Sequence, residues 1–399
     1  MNPKDFVHST TGKTIKAGQG NAAYWTFIPH PLPPELLSNW NLSRQLSNAD
    51  RSLSELAGLG RSLPNPNLFV APFLRREAVL SSRIEGTKSG IDDLYFYEAG
   101  QMPLPGIENP SPSEADLREV FNYVTALEYG LKRLASLPVS LRLITEVHGH
   151  LLKGVRGGHA TPGKFRTRQN WIGGQTINEA VYVPPPVDEM LTGLDLFEKY
   201  LHKSDDIFPP LIRLAFIHYQ FEAIHPFVDG NGRIGRLLLS LLLISWNLLP
   251  LPLLYMSAYF ERNRQEYYDL LLAISQKGNW QAWTMFFLNG VQEQGQDTIW
   301  RIKKLQDLQT EWRSRLGATR GNANTVWLLE HLFENPVITI PQAQKLLKVK
   351  SYHTAQQSVE KLLALDILHP FGDEAYDRRF YAKDILLAIA KDAPENRIA

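Results

Sequence analysis

One stretch of the sequence concentrates residue types that could carry out chemistry on a phosphate. "IHPFVDGNGRIGRLL", residues 224–238, holds a histidine, an aspartate, three glycines and two arginines. A histidine can accept a proton from a hydroxyl group, a carboxylate can hold a magnesium ion, and arginines can bind phosphate oxygens. The stretch therefore contains the parts needed to transfer a phosphorus centre.

The residues on both sides of this stretch predict helices, and the second helix is expected to start at about Gly232. The free N–H groups and the positive dipole end of a helix start form an anion site. We expect His225 to accept the proton and Asp229 to hold Mg²⁺. Arg233 and Arg236, three residues apart, are expected to bind phosphate oxygens. Taken singly, each residue also has a structural interpretation as part of a turn or a solvated helix face, and the contiguous block is what favours catalysis.

The segment "HPFVDGNGRIGR" resembles the signature of the Fic family, HPFx[DE]GNGRxxR, at every defined position. Proteins of this family typically transfer AMP from ATP onto a hydroxyl group of a target protein and release pyrophosphate. The resemblance implies that His225 is the general base for a Ser, Thr or Tyr hydroxyl. The nucleotide-binding residues that it implies in this loop are Gly230, Asn231, Gly232, Arg233, Ile234, Gly235 and Arg236.

Within that set, the resemblance implies a division of labour. Asn231 and the amides of Gly230 and Gly232 hold the α- and β-phosphates, Arg233 supports the phosphates, and Arg236 binds the γ-phosphate. A branch of the family that acts as a kinase carries lysine at the position of Gly232. The glycine in this chain therefore favours transfer of AMP.

The same resemblance implies an inhibitory helix with the pattern [ST]xxxE[GN]. "SSRIEG" supplies Ser81, Glu85 and Gly86, near the end of a predicted helix at about 68–86. A carboxylate that reaches Arg236 would form a bidentate pair and deny this arginine to the γ-phosphate. Because this helix precedes the core, the chain resembles the Fic proteins that are inhibited in cis by an N-terminal helix.

A Gly-rich segment at about 163–184 predicts a β-hairpin with strands over 164–172 and 180–183. In the Fic family this flap aligns an extended segment of the target protein by strand addition. A purely structural hairpin is the alternative. Here the expected partner is therefore an unidentified target protein, bound in extended form.

"SAYFERNRQEYYDLL" resembles the helix that frames the adenine and the ribose of the nucleotide. Asn263, Tyr267 and Tyr268 are the candidate contacts there. Aromatic residues at helical spacing are also typical of a core, and both interpretations remain open for these side chains. His218, seven residues before His225, does not have the spacing of a helical metal pair, and we expect it to be buried in the core or behind the site.

Apolar periodicity predicts a mainly α protein. The resemblance to the Fic family implies that these helices form a Fic-type bundle with a β-hairpin flap. The predicted helices lie at about 36–58, 68–84, 113–134, 140–152, 209–223, 233–247, 257–275 and 280–316. Ser113, followed three residues later by Asp116, is a predicted helix start.

Four regions are expected along the chain. In order, they are an N-terminal helical region (1–120), a catalytic core (121–300), a linker helix (301–324) and a winged helix-turn-helix (325–399). The last region shows the order helix, strand, helix, helix and then two strands joined by a turn. DNA is an expected partner through residues 325–391, with protein docking or self-association as the alternative because basic and acidic residues balance there.

In that region, the side chains that could face bases or phosphates are Tyr352, His353, Thr354, Gln356, Gln357, Arg378 and Arg379.

Composition excludes several classes of protein. The 399 residues are 44% hydrophobic with a net charge of +1, so no global field attracts nucleic acid or an acidic membrane. There is no cysteine, which excludes disulfides and thiolate chemistry. The longest apolar run, 237–249, is too short to span a bilayer, and the N-terminus lacks a signal-peptide core. We expect a cytoplasmic protein without a membrane partner, and a homodimer.

The leading hypothesis is a protein adenylyltransferase that uses Mg²⁺ and ATP, modifies a target protein and itself, and is autoinhibited by Glu85. Two alternatives remain open. The same site could position water and remove AMP from a modified protein. The chain could also be a DNA-binding regulator whose Fic fold senses nucleotide.

Overall fold

The computed structural model describes residues 1–36, 39–99, 113–154, 161–203, 207–319, 323–371 and 378–390. Within these ranges the chain forms fifteen α-helices and five short β-strands. The prediction of a mainly α protein is thus confirmed. None of the described helices is long and apolar enough to cross a membrane.

The first eight helices contain the motif and the elements that surround it. They are α1 (Trp40–Ser62), α2 (Asn67–Ile84), α3 (Ile91–Glu98), α4 (Glu114–Arg133), α5 (Leu141–Leu151), α6 (Val187–His202), α7 (Pro210–Ile224) and α8 (Asn231–Ser245). α4 starts as predicted, because the Ser113 side chain accepts a hydrogen bond from the Asp116 amide at 3.1 Å. α3 and α6 have no counterpart among the sequence predictions.

Seven further helices follow. They are α9 (Ser257–Arg262), α10 (Arg264–Lys277), α11 (Trp280–Ala318), α12 (Ala323–Leu332), α13 (Ile340–Leu347), α14 (Tyr352–Ala364) and α15 (Lys383–Ala390). The single helix predicted over 257–275 is wrong, since the chain breaks at Asn263 into α9 and α10. α11 is one continuous helix of 39 residues, so the expected boundary at residue 300 falls inside it and the expected linker helix is largely its C-terminal part.

α7 and α8 form the centre of the molecule. Nearly every side chain of both helices is buried, and a helix that is apolar on all sides belongs in a core. α2, α4 and α5 pack against α8, while α6 and α11 pack against α7. The loop between these two central helices is the motif on which the sequence analysis depends.

An N-terminal hairpin was missed from the sequence. β1 (Gly12–Ala17) pairs antiparallel with β2 (Tyr24–Pro29), in a region whose polar composition predicted no strand. β2 also bonds to the segment before α6, because the Phe27 amide donates to the Val183 carbonyl at 2.9 Å. This hairpin thereby anchors one end of the predicted flap.

The β-hairpin predicted over 164–172 and 180–183 is wrong as a pair of strands. A single antiparallel bridge joins Ile172 to Tyr182. The arms bond to other partners instead, since the Arg166 amide donates to the Pro226 carbonyl at 2.9 Å and β2 binds the far end. We call residues 161–183 the flap segment; it is an irregular strip along the motif loop.

The C-terminal part combines α12–α15 with a small sheet. Its strands are β3 (Val337–Thr339), β4 (His369–Phe371) and β5 (Arg379–Tyr381), in the antiparallel order β3-β5-β4. The prediction of two strands in "HPFGDEAYDRRFYAKDILLAI", residues 369–389, is wrong beyond Tyr381, because apolar residues in "KDILLAIA" recur at helical spacing and form α15. Whether this unit functions as a winged helix stays a prediction.

α15 packs against α2, α3 and α11, and a buried arginine holds it there. The guanidinium of Arg301 donates to both oxygens of Asp297 and to the carbonyls of Ala388 and Ile389 at 2.7–2.9 Å. Asp297 also lies 3.6 Å from the guanidinium of Arg76 on α2. The C-terminal unit is thus connected by charged contacts to the helix expected to be inhibitory.

Replacing Arg301 by alanine is expected to lower the free energy of unfolding by about 2–4 kcal/mol, because two buried carbonyls lose their donor and Asp297 keeps only the longer contact with Arg76. Arg142→Ala, which removes an exposed pair with Glu146, should change it by no more than about 0.5 kcal/mol. Urea unfolding of both variants measures the difference. Equal losses would show that Arg301 does not anchor α15.

Candidate functional site

The loop between α7 and α8 is shaped by two left-handed residues and one buried amide. His225, after the last turn of α7, has φ 49°, and Gly230, at the start of α8, has φ 80°. The Asn231 side chain accepts from the Phe227 amide and donates to the Phe227 carbonyl, both at 2.8 Å. This side chain closes the loop, so its implied contact with phosphate is not supported by the structure.

The imidazole of His225 is arranged to accept a proton. Its Nδ1 lies 3.2 Å from the Glu222 carbonyl, and because a carbonyl can only accept, Nδ1 carries the hydrogen and Nε2 keeps its lone pair. Burial lowers the pKa of His225 to about 4. The ring is therefore neutral at pH 7, which is the state that a general base requires.

Two polar residues of the flap segment fix the loop and were not found from the sequence. Arg166 is 1% exposed and donates from Nε to the His225 carbonyl at 3.0 Å. Asn170 donates to the Phe227 carbonyl at 2.8 Å. Both act on backbone carbonyls, and the sequence carries no pattern that would place them there.

A second histidine supports the loop from α5. His148 is buried and stacks on Phe227 with ring centres 3.7 Å apart. Its Nδ1 accepts from the Gly163 amide at 2.9 Å, so Nε2 is the protonated nitrogen and donates to the Asp229 carbonyl at 3.0 Å. Burial lowers the pKa of His148 to about 4, in agreement with a neutral ring. His148 is also absent from the residues predicted from the sequence.

Asp229 lies just before α8, and Arg233 lies in its first turn. The Asp229 side chain is 56% exposed and lies 3.6 Å from the Arg233 guanidinium. Arg233 is almost fully buried and donates to Glu119 of α4 at 2.9 Å. Arg233 thus joins α8 to α4, and the carboxylate of Asp229 is the group at this helix start that faces solvent.

Arg236 meets the expected inhibitory helix. Its guanidinium donates from Nε to the Ser81 hydroxyl at 2.8 Å, and from Nη2 to the Ser81 carbonyl at 2.9 Å and to Glu85 at 2.6 Å. Burial alone would raise the pKa of Glu85, but Arg236 outweighs it and holds this pKa below its usual value. The pair is therefore ionised at neutral pH. The structure thus brings Arg236 together with Ser81 and Glu85, which lie about 150 residues earlier in the sequence.

Glycines make this contact sterically feasible. A Cβ atom on Gly232 would lie 2.3 Å from a Glu85 oxygen, so any side chain there would push the Glu85 carboxylate out of its present position. Gly86 has φ 105°, a backbone conformation that other residues rarely adopt. The glycine of the loop and the glycine of the "SSRIEG" pattern thus both serve the approach of Glu85 to the start of α8.

Ile234 and Gly235 face the core and not the open side of the loop. Ile234 is 1% exposed. Gly235 is helical, and a Cβ there would lie 2.3 Å from a Glu222 oxygen, so this glycine makes room for a buried carboxyl group of α7. Burial raises the pKa of Glu222 to about 8. The expected role of these two residues in nucleotide binding could only involve their backbone.

The three residues predicted to contact the adenine and the ribose lie in different environments in the structure. Tyr267 is 1% exposed and its hydroxyl lies 2.8 Å from Nε2 of His218, so its prediction as a ligand contact is wrong and both residues belong to the core. Tyr268 is 39% exposed and donates to the Ile84 carbonyl at 3.4 Å. Asn263 stands at the break between α9 and α10. Its side chain donates to the Tyr259 carbonyl at 2.9 Å, so of the three candidates Tyr268 is the one that contacts the end of α2.

Residues 43–132 match the Fic/DOC family N-terminal domain, and residues 138–243 match the Fic/DOC family domain. A protein of Aedes aegypti named protein adenylyltransferase Fic is 29% identical over 171 residues, 42% of this chain and 30% of that protein. Proteins of the same name from Nematostella vectensis and Drosophila virilis are 29% and 33% identical over 197 and 131 residues. These two alignments cover 48% and 32% of this chain, and 41% and 24% of the two relatives.

Solved structures share the fold. A Fic family protein from Desulfovibrio desulfuricans is similar over 88% of this chain and 98% of its own, with a TM-score of 0.52 and 19% identity. Fic-1 from C. elegans is similar over 66% of this chain and 74% of its own, with a TM-score of 0.50 and 22% identity. The helical core, the loop after α7 and the N-terminal helices are thus those of a Fic fold. Residues 43–132 and 138–243 are thus domains of the Fic/DOC family, and the chain spans less than half of the length of the curated relatives named above.

The neutral state of His225 can be tested by its pH dependence. Its ring resonances are expected to stay at their neutral positions down to about pH 5, because the folded-state pKa lies near 4. Between about pH 4 and 6.5 the unfolded chain binds a proton that the folded chain does not, so stability falls as the pH is lowered through this window. NMR of labelled histidine, assigned with His225→Gln, measures the first effect.

The same variant provides the control for the second effect. His225→Gln should lose less stability than the wild type between pH 6.5 and 4.5, since it lacks the group that is protonated only on unfolding. A ring that titrates near its ordinary value of about 6.5 would contradict the assignment.

Proposed function

We propose that this protein is an adenylyltransferase that transfers AMP from ATP to a hydroxyl group of a protein, and that Glu85 inhibits it. The observation that carries the proposal is the placement of three groups on the loop before α8 and on its first two turns: the free nitrogen of His225, the carboxylate of Asp229 and the guanidinium of Arg236. The names of the relatives, which are protein adenylyltransferases, support the same activity.

The chemistry follows from the position of each group. The first N–H groups of α8 have no partner within the helix and form an anion site for the phosphates of ATP. Nε2 of His225 takes the proton of the incoming hydroxyl, whose oxygen then forms a bond to the α-phosphorus. The bond between this phosphorus and the oxygen bridging to the β-phosphorus breaks, and pyrophosphate leaves with that electron pair.

A magnesium ion fits the start of α8. Among the described residues no group of three or more His, Asp or Glu side chains could hold a metal ion alone. Mg²⁺ in nucleotide enzymes is held by one or two carboxylates together with phosphates and water, and Asp229 offers one such carboxylate. When bound, the ion would offset negative charge on the phosphates.

Arg236 links catalysis to inhibition. We infer that it binds the γ-phosphate once Glu85 has left, because a buried guanidinium requires an anionic or strongly polar partner. While Glu85 is paired with Arg236, the triphosphate of ATP has to bind without a contact between Arg236 and the γ-phosphate. The ionised state of Glu85 means that inhibition acts at neutral pH without a further signal.

The target is proposed to bind along the flap segment. Trp171, Ile172 and Val181 are 42%, 38% and 54% exposed there, which leaves an apolar strip next to the His225 loop. An extended peptide could pair with backbone beyond the Ile172–Tyr182 bridge, and apolar side chains would add contact area. This geometry would place a hydroxyl of the peptide beside the imidazole.

Glu85→Gly is expected to raise the initial rate of AMP transfer, to itself or to proteins in a lysate, by about tenfold or more, since about 1.4 kcal/mol of lost competition corresponds to tenfold. Glu85→Gln should give a smaller gain because its amide oxygen still accepts from Arg236. His225→Ala in the Glu85→Gly background should reduce the rate by about 10²–10⁴. Transfer of label from α-labelled ATP measures all three.

Two results would contradict this proposal. If Glu85→Gly is no faster than the wild type, the inhibitory role of Glu85 is wrong. If purified wild type removes AMP from a protein modified beforehand, and Glu85→Gly loses that activity without gaining transfer, the hydrolase alternative is favoured, with Glu85 positioning water.

Asp229→Asn is expected to raise the Mg²⁺ concentration for half-maximal transfer by tenfold or more, because the amide has no charge to offer the ion. Excess EDTA should abolish transfer by the wild type. Asp188→Asn, in the first turn of α6, is the matched control and should leave the magnesium dependence unchanged. An unchanged dependence in Asp229→Asn would contradict the assignment.

A further inference from the structure

Two helices of the C-terminal unit are joined by a short turn. α13 and α14 are joined by residues 348–351, and Lys348 has a left-handed backbone with φ 54°. The Gln344 side chain donates to the Lys350 carbonyl at 2.9 Å and fixes the turn to α13. Helices joined by a turn of this length form the arrangement in which a second helix can enter the DNA major groove.

α14 has one packed face and one open face. Ala355 and Val359 are fully buried in the interface with α12 and α13. Tyr352, His353 and Gln357 are exposed along the first two turns. The amino-terminal half of α14 therefore presents a row of side chains that can form hydrogen bonds to solvent or to a ligand.

Positive charge is concentrated on this helix-turn-helix, although the C-terminal unit as a whole is balanced. Over 326–391 the sequence has eight basic and eight acidic residues, but 340–359 contains three lysines and no Asp or Glu. These are Lys345, Lys348 and Lys350, and all three are exposed. Within the described residues none of them pairs with a carboxylate, in contrast to lysines of α6 and α11. The helix-turn-helix thus has a locally basic surface, although the basic and acidic residues of the whole unit are equal in number.

The composition of the surface favours a polyanion over a protein. Of the large apolar residues in the described parts of α13 and α14, Tyr352 alone is strongly exposed. Protein interfaces depend on apolar and aromatic anchors that become buried. Unpaired lysines beside amide and imidazole groups are instead the set that binds phosphates and base edges.

We propose that α13, the turn 348–351 and the first half of α14 bind duplex DNA. The three lysines contact phosphates of the backbone and supply the salt-dependent affinity. His353 and Gln357 reach base edges in the major groove, where a glutamine pairs well with adenine. This activity is separate from AMP transfer and does not depend on it.

The wing is not part of this surface. Phe371 of β4 packs on Phe96 of α3 with ring centres 4.3 Å apart, so this strand is turned toward the N-terminal helices. Residues 372–377 lie outside the described residues and contain three acidic residues in the sequence. Phosphate contacts are therefore assigned to the lysines, and the expectation that Arg378 and Arg379 supply them is given up.

The test measures binding of the full-length protein to a fluorescent duplex of about 30 base pairs, by anisotropy, between about 50 and 200 mM NaCl. The variant replaces Lys345, Lys348 and Lys350 by glutamate. The matched control replaces Lys13, Lys16 and Lys277, which are exposed on β1 and α10, and changes the net charge equally. Thermal unfolding and AMP transfer verify that each variant remains folded.

The wild type and the control are expected to bind with affinity that falls steeply with salt. The helix-turn-helix variant should bind at least tenfold more weakly at low salt, and the slope of log K against log salt should shrink by about 2–3, near 0.9 for each lost lysine contact. The proposal is overturned if the wild type binds no duplex at low salt, if both variants weaken binding equally, or if single-stranded RNA of the same length binds more tightly than the duplex.

Discussion

The buried guanidinium of Arg236 is the group on which the arrangement of the site depends. A charge that is almost completely removed from water must be paired and hydrogen-bonded, and Ser81 and Glu85 provide both. This requirement fixes the end of α2 against the start of α8. Any ligand that takes over this arginine has to replace Glu85, so under the proposed function the contact that stabilises the resting fold is also the contact that a nucleotide would have to displace.

Two further carboxyl groups surround this arginine, and burial keeps them from being fully ionised. Burial raises the pKa of Glu77 to about 7, although Tyr123 and Ser257 donate hydrogen bonds to it, and that of Glu222 to about 8. One cation cannot offset three buried anions, so the carboxylate with the best access to water and to Arg236 carries the charge. Glu85 is that carboxylate.

Much of the candidate site could be predicted because its residues are contiguous. His225, Asp229 and Arg236 lie within twelve positions of one another between two strongly apolar helices, and spacing alone places them on one loop and one helix start. The residues that hold the loop could not be predicted. Arg166, on an irregular segment, and His148, on a helix far upstream, act through backbone carbonyls, and such contacts leave no pattern in a sequence.

The sequence by itself determined the helical class, the central pair of helices and the chemical parts of the loop, because apolar periodicity and local spacing are short-range properties. The tertiary structure decided which atoms of these residues form contacts, and with which partners. Packing turned Tyr267 and the Asn231 amide into internal supports, replaced a regular hairpin by an irregular strip bonded to its neighbours, and brought Glu85 against Arg236. These outcomes depend on contacts between segments that are far apart in the sequence. The geometry of these contacts is set only in the folded protein, where burial removes water as the alternative hydrogen-bond partner.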